Sequence, residues 1–275
     1  MILEGAGIVI RFFRWLKDLW QYLIVKQIQL IHREIEPAAI ERPRGSVAFL
    51  MVWVAVILTV IEYYAHSGTA MYKWFIKTMP NDIPYKTVYR HAYWSLNCAA
   101  AYLFLPLLAI LFTRGTRIRD YGLKLKGFSS HLWIYVMLFL IVMPAVVAVS
   151  YAPSFQRTYP FYRLAGRSWT DLGIWWAVYG IQFFCLEFFF RGYILHGLKK
   201  DVGAHAILFS AVPYCMIHFG KPVPETLGSI IAGVALGILS LRTLSVWSGF
   251  LIHISVAFCM DILSLWQKGK LSLFM

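Results

Sequence analysis

Four residues able to carry acid–base chemistry lie among apolar residues in the C-terminal half of the sequence. They are Glu187, His218, Glu225 and His253. Carboxylates and imidazoles activate water, either as general bases or as metal ligands. Because an ionised side chain in hydrocarbon costs at least about 2.5–3.5 kcal/mol on insertion scales, such residues pair, face a wet cavity or serve a function. We therefore predict one polar pocket below the lipid headgroups that gathers these side chains from neighbouring helices.

Each of these residues also has a purely structural explanation. Glu187 and Arg191 are four residues apart and share a helix face, so they can form a structural ion pair. His218, at the end of an apolar run, fits a helix end, and Glu225, just after a proline, complements a helix dipole. His253 lies deep in the last apolar run and needs a partner from another helix, because a buried, unpaired imidazole is costly.

The metal dependence of such a site stays open at the level of sequence. A zinc ion needs three or four converging ligands, and the sequence offers Glu187, His218, Glu225 and His253 for that role. It contains no His-Glu-x-x-His segment, the helical zinc motif of many proteases. General-base chemistry without a metal and water activation by a divalent metal such as zinc are therefore alternative predictions.

The composition indicates which solvent surrounds these residues. The 275-residue chain is 60% hydrophobic and 14% charged, whereas soluble domains carry about 25% charged residues. The net charge of +13 comes mostly from bases in short segments between apolar runs, which meet anionic headgroups in membrane proteins. The four cysteines lie within apolar runs and form no Cys-x-x-Cys pair, which is typical of small buried side chains. We predict an integral membrane protein that contacts the lipid bilayer and binds no nucleic acid.

Seven apolar runs follow the N-terminal segment, and most are long enough to cross the hydrocarbon layer. They predict an all-α fold, a polytopic membrane bundle of about 7–8 helices. The fifth run is short and contains Pro213, which indicates a partial or buried span. Gly233 and Gly237 in the sixth run have the spacing that lets two helices approach closely. The runs lie at about 46–64, 92–113, 131–152, 170–195, 203–218, 225–242 and 245–265.

Three regions of the chain differ in character. We predict an amphipathic interfacial helix over residues 1–45, transmembrane helices over 46–114, and the domain with the polar pocket over 115–275. Basic residues are concentrated near the N-terminus and at 114–126, and two crossings place these regions on the same side. The positive-inside rule makes that side cytoplasmic. The prediction is a multi-pass protein of the cytoplasmic (plasma) membrane of a prokaryote, with its N-terminus in the cytoplasm.

Three short motifs resemble those of the CAAX-protease and bacteriocin-processing family of intramembrane proteases, which includes the type II CAAX prenyl endopeptidases. The family pattern is Glu-Glu-x-x-x-Arg, then Phe-x-x-x-His, then His-x-x-x-Asn or Asp. The resemblance covers about residues 115–265 and includes a short upstream element at 120–123. The matching segments of this sequence are Leu186-Glu187-x-x-x-Arg191, Tyr214-x-x-x-His218, His253-x-x-x-Ala257 and Asp120-Tyr121-Gly122-Leu123.

The resemblance implies an all-helical intramembrane endopeptidase. In the family, the first Glu and the His of the second motif activate the attacking water, and the last His with the following Asn stabilises the oxyanion. Carried over residue by residue, His218 would activate water, His253 would donate to the oxyanion, and Glu187 with Arg191 would order the site. The substrate would be a peptide or membrane-anchored protein, such as a prenylated C-terminus, a leader-bearing peptide or a tail-anchored protein.

Two positions depart from the family pattern. Leu186 stands where the family has its first Glu, and Ala257 stands at the Asn or Asp position. Glu187 or Glu225 could supply the missing carboxylate, and Asp261 could replace the group lost at Ala257. The predicted function is therefore an endopeptidase. The alternatives are a catalytically inactive relative that acts as a membrane binding or immunity protein, and a transporter, against which the lack of an evident inverted repeat argues.

Overall fold

The computed structural model describes residues 11, 14–15, 17–35, 45–66, 69–80, 86–113, 115–125 and 132–271, and most of these residues are helical. Over these ranges no strand of a sheet forms, and a single isolated bridge pairs Leu123 with Ser245. The prediction of an all-α bundle is confirmed. The predicted break between residues 36 and 44, with its two prolines, lies outside the described residues.

The α-helices within the described ranges are numbered here in chain order. They are α1 (Lys26–Ile35), α2 (Gly45–Val60), α3 (Ala70–Thr78), α4 (Lys86–Phe112), α5 (Leu132–Ser150), α6 (Pro153–Thr158), α7 (Trp169–Glu187), α8 (Gly197–Val202), α9 (Ala206–Met216), α10 (Val223–Thr243) and α11 (Trp247–Gln267). Wider π-helical turns extend α2 over Ile61–Ala65 and α7 over Phe188–His196.

Six helical stretches of the described chain are long and apolar enough to cross a membrane, so the protein is a multi-pass membrane protein. The fourth stretch, 48 residues long, exceeds one crossing and turns back at Gly203, whose φ is 58°. The predicted fourth and fifth apolar runs both lie in it, and α9 is the short return helix that contains Pro213. The six stretches are Val47–Thr78, Thr87–Phe112, Leu132–Ser150, Trp169–Met216, Val223–Thr243 and Trp247–Gln267.

The central helix α7 is held between α4 on one side and α11 on the other. Ser95 of α4 donates from its hydroxyl to the carbonyl of Val178 at 2.9 Å and to the Gln182 side chain at 3.1 Å, which gives the two apolar helices a specific register. Helix α5 packs along α11 and completes the bundle on that side. This arrangement brings the end of α7 against the first half of α11.

Helices α9 and α10 approach closely at the two glycines of the sixth apolar run. A Cβ built on Gly233 would lie 3.0 Å from the Cβ of Ala211, and one on Gly237 would lie 3.1 Å from Ile207. Both distances are tighter than ordinary van der Waals contact, so larger side chains would force the helices apart. The predicted role of this glycine spacing in helix packing is confirmed, and it holds α9 beside the π-helical turn that follows α7.

Candidate active site

Glu187 is the last residue of α7, and its side chain is fully buried. Its Oε1 atom lies 3.0 Å from Nδ1 of His253 and 3.2 Å from Nη1 of Arg191. Because an ionised carboxylate can only accept hydrogen bonds, His253 donates from Nδ1 to this oxygen. The site is therefore centred on a carboxylate that contacts an imidazole of α11 and a guanidinium of the adjoining π-helical turn.

The second carboxylate oxygen of Glu187 faces a glycine of α11. A Cβ built on Gly249 would lie 2.4 Å from Oε2, closer than any side chain could tolerate. Gly249 lies one helical turn before His253, so the same helix supplies both the imidazole and the space for the carboxylate. Oε2 is buried and has no hydrogen-bond partner among the described residues.

Leu186, which occupies the position of the family's first Glu, belongs to the large apolar core of the bundle. Its side chain is buried there together with Phe189 and Phe190. Adjacent residues point about 100° apart around a helix, which explains why Glu187 reaches the polar cluster while Leu186 does not. Of the two adjacent residues Leu186 and Glu187, only Glu187 supplies a carboxylate to the site.

Arg191 and Tyr214 connect the Glu187 pair to the next helix. The guanidinium carbon of Arg191 lies 4.1 Å from the ring centre of Tyr214, and both side chains are buried. A cation over an aromatic face is attracted by the ring's quadrupole. The Tyr214 hydroxyl lies 3.4 Å from Nε2 of His253, on the side of the imidazole that faces away from Glu187. Tyr214 thus contacts both partners of the carboxylate.

His218 follows the end of α9 and lies against the same tyrosine. Its ring meets the Tyr214 ring edge-on, with centroids 4.7 Å apart, and its Nδ1 lies 2.8 Å from the Tyr214 carbonyl oxygen. Because a carbonyl only accepts, Nδ1 carries the proton and Nε2 keeps its lone pair. Burial and the positive charge of Lys221 lower the pKa of His218 well below that of a free imidazole, so the ring is neutral near pH 7.

Glu225 lies in the first turn of α10 and has its own hydrogen-bond partners. Its Oε1 accepts from the Tyr159 hydroxyl at 2.6 Å and from the Lys221 ammonium at 2.7 Å. Burial and the nearby carboxylate raise the pKa of Tyr159, which keeps the hydroxyl protonated as the donor. Among the described hydrogen bonds and ion pairs, none joins Glu225 directly to Glu187, His218 or His253.

Asp261, the other candidate replacement, is fully buried on α11 two turns beyond His253. It accepts at Oδ2 from the indole nitrogens of Trp175 at 2.9 Å and Trp176 at 3.2 Å. Ala257 is buried in the apolar cluster around those tryptophans. Asp261 therefore contacts α7 at Trp175 and Trp176, about three helical turns before Glu187.

No three side chains of His, Cys, Asp or Glu in the described part of the chain converge closely enough to hold a metal ion. Glu187 contacts His253 and Arg191, whereas His218 lies against Tyr214. A guanidinium beside the carboxylate also competes with a cation for the same oxygen. The present residues do not form a zinc donor set, and the chemistry proposed below uses no metal.

Gly249 was not predicted from the sequence, and Tyr214 was named only as the residue at the Phe position of the second motif. Tyr214 could have been noticed in the sequence, because its hydroxyl adds a hydrogen-bond donor where the second motif has Phe. A glycine in an apolar helix, by contrast, gives no sign of the side chain that packs on it.

The six long apolar helical stretches define a polytopic membrane protein. Its candidate site combines a buried carboxylate, a guanidinium and an imidazole where α7, α9 and α11 meet. Residues 167–259, roughly a third of the chain, match the family model for type II CAAX prenyl endopeptidase Rce1-like proteins. This match is to the family of CAAX proteases that the sequence motifs resemble, and the matched segment holds all five predicted site residues. No curated protein and no solved structure gave a match to the chain.

Proposed function

We propose that the protein is an intramembrane endopeptidase that hydrolyses a peptide bond of a membrane-associated substrate. The family supports protease chemistry in general. The observation that carries the proposal for this chain is the hydrogen bond from His253 to the buried Glu187 carboxylate. A carboxylate that holds the Nδ1 proton of an imidazole leaves Nε2 basic, which is the logic of hydrolytic triads.

His253 is the general base in this scheme, and Glu187 is a positioning residue. Nε2 of His253 takes one proton from water while the water oxygen bonds to the substrate carbonyl carbon. Glu187 then stabilises the imidazolium, as a buried carboxylate does in a triad. The guanidinium of Arg191 lies 3.2 Å from the same carboxylate oxygen and helps to hold it in place. The proton passes from Nε2 to the leaving amine nitrogen as the C–N bond breaks, which gives a carboxylic acid and an amine.

His218 and Tyr214 take supporting roles next to the base. The neutral Nε2 of His218 can accept the second hydrogen of the attacking water, which orients the water between the two imidazoles. The Tyr214 hydroxyl, 3.4 Å from Nε2 of His253, is a donor for the oxyanion that forms as the carbonyl is attacked. This assignment makes His253 the base, whereas the resemblance alone gives His253 the oxyanion role.

Glu225 is assigned to structure and not to water activation. Its ion pair with Lys221 is local to the start of α10, and its bond from Tyr159 joins that start to the segment between α5 and α7. Asp261, bound to two indole nitrogens, is assigned in the same way.

The test is hydrolysis of a fluorogenic library of prenylated and leader-type peptides by the full chain in detergent. We expect Glu187→Gln and His253→Ala each to reduce kcat roughly 10²–10⁴-fold, the usual range for general-base catalysis. Glu225→Gln is the matched carboxylate control and should retain activity. Equal losses for Glu187→Gln and Glu225→Gln would contradict the assignment.

A catalytically inactive relative is the second candidate, and two observations favour it. Leu186 puts an apolar side chain in the core where the family has a water-activating Glu, and Ala257 offers no polar group. Such a protein would bind a peptide without cleaving it. In the same assay it would bind labelled library peptides without cleaving them. The unmodified chain and the His218→Ala variant would then give the same signal.

A further inference from the structure

A small polar cavity lies at one end of the bundle, away from Glu187. It has a volume of about 140 Å³ and is formed where several spans end, between residues 115–124, the end of the π-helical turn, α8 and the turn from α10 to α11. We call it the basic pocket. Its charged and imidazole lining residues are Arg119, Asp120, Lys124, His196, Lys199 and Lys200.

The wall of the basic pocket is fixed by backbone contacts. Val246 donates from its amide to the carbonyl of Gly122 at 2.9 Å, and the Ser245 hydroxyl donates to the carbonyl of Lys124 at 3.0 Å. Gly122 has a φ of 82°, and a Cβ there would lie 3.2 Å from Nε2 of His196. The upstream element at 120–123, to which the proposed hydrolysis gives no role, thus builds this wall.

The charges lining the basic pocket are strongly unbalanced. It has four Lys or Arg residues, and Asp120 is the only acid among its described lining residues. Asp120 also accepts from the backbone amide of Arg117 at 3.0 Å, so part of its hydrogen-bonding capacity is used within its own turn. Like charges gathered in one cavity repel one another, and an anion in the cavity would remove that repulsion.

Lys199 has an uncharged partner inside the basic pocket. Its ammonium donates to Nδ1 of His196 at 2.8 Å, while Nε2 of that buried imidazole pairs with the Ser240 hydroxyl at 3.0 Å. An imidazole that accepts at Nδ1 is neutral and carries its proton on Nε2. The contact therefore orients the ammonium without neutralising its charge.

We propose that the basic pocket binds a phosphate group at the membrane surface. The volume is smaller than the 300–1,000 Å³ typical of sites for drug-sized ligands, which fits one phosphate and not a nucleotide. Lys and Arg are the residues that hold phosphate in proteins. The ends of membrane spans lie at the depth of phospholipid headgroups, where clustered bases bind anionic lipid. The phosphate group belongs to an anionic phospholipid or to a free phosphate compound.

The experiment compares lipids with the full chain in neutral detergent. Short-chain phosphatidylglycerol, short-chain phosphatidylcholine and inorganic phosphate are titrated at constant ionic strength while the thermal unfolding midpoint is recorded. We expect saturable stabilisation by phosphatidylglycerol but not by phosphatidylcholine. An equal effect of inorganic phosphate at similar concentration would identify a free phosphate as the ligand, and its absence would identify the lipid.

Charge-matched variants locate the binding. Lys124→Gln/Lys200→Gln removes two exposed bases of the basic pocket, and Lys73→Gln/Lys77→Gln removes two exposed bases of α3. The pocket variant should need at least tenfold more ligand for the same shift, and the α3 variant should match the unmodified chain. If the double pocket variant does not fold, Lys200→Gln alone serves, with an expected severalfold loss. Equal ligand requirements in both variants, or equal shifts with both lipids, would overturn the proposal.

Discussion

Gly249 and Glu187 occupy one shared space at the contact between α11 and α7. The carboxylate oxygen Oε2 lies where a side chain at residue 249 would begin, 2.4 Å from the position of its Cβ. The carboxylate can therefore keep its bond to His253 only while residue 249 is a glycine.

Gly249→Ala should displace the Glu187 carboxylate and separate it from His253. Overpacking of a buried site of this kind costs about 1–3 kcal/mol of stability. The rate of peptide hydrolysis should fall about as far as it does in the Glu187→Gln variant. Thermal unfolding and peptide hydrolysis measure the two effects. Gly228→Ala, in the exposed part of α10 with no atom within 4 Å of the new Cβ, is the control and should change neither. A fully active Gly249→Ala variant would disprove the shared-space argument.

Removal of the Glu187 side chain should destabilise the bundle more than removal of an exposed charge. Glu187→Ala leaves Arg191 buried without its anion, and breaking a buried pair costs about 3–5 kcal/mol. Glu187→Ala/Arg191→Met removes both charges and should recover part of that loss. Unfolding of the full chain in detergent gives the free energies.

The matched control for this pair is the partly exposed ion pair of Lys221 and Glu225, which has the same four-residue spacing. Lys221→Ala should cost less than Glu187→Ala, because both side chains of this pair keep part of their contact with water. If the two single variants lost the same stability, the Glu187–Arg191 pair would not be a buried charge pair in the folded protein.

His218 should make the folded protein sensitive to acid. Burial lowers the pKa of His218 in the folded state, so below the ordinary imidazole value of about 6.5 the unfolded chain binds a proton that the folded chain does not. Stability should therefore fall as pH drops below that value. His218→Gln should reduce this loss, measured as the difference in unfolding midpoint between pH 7 and pH 5. An unchanged pH dependence would show that His218 titrates alike in both states.

The fold followed from the sequence because hydropathy is a local property. Each of the seven apolar runs lies in a helix, and only the continuity of α7, its π-helical turn and α9 in one long helical stretch was not foreseen. The pairing of Glu187 with Arg191 was predictable from four-residue spacing on one helix. The pairing of Glu187 with His253 was not, because 66 residues separate them and spacing says nothing about which helices become neighbours. The bond between Glu225 and Tyr159 could not be predicted for the same reason, since 66 residues separate them.

The contact between α9 and α10 allows a test of packing that is independent of the site. Gly233→Ala should destabilise the protein, because its new Cβ would lie 3.0 Å from the Cβ of Ala211 and 3.2 Å from its Cα. Ala211→Gly removes one of the two crowded carbons. The double variant Gly233→Ala/Ala211→Gly should therefore lose less stability than the two single variants lose together. Contacting residues show coupling of about 0.5–3 kcal/mol in such cycles. A coupling near zero, measured by unfolding of all four proteins in the same detergent, would mean that the helices separate freely and that close approach at Gly233 does not hold α9 in place.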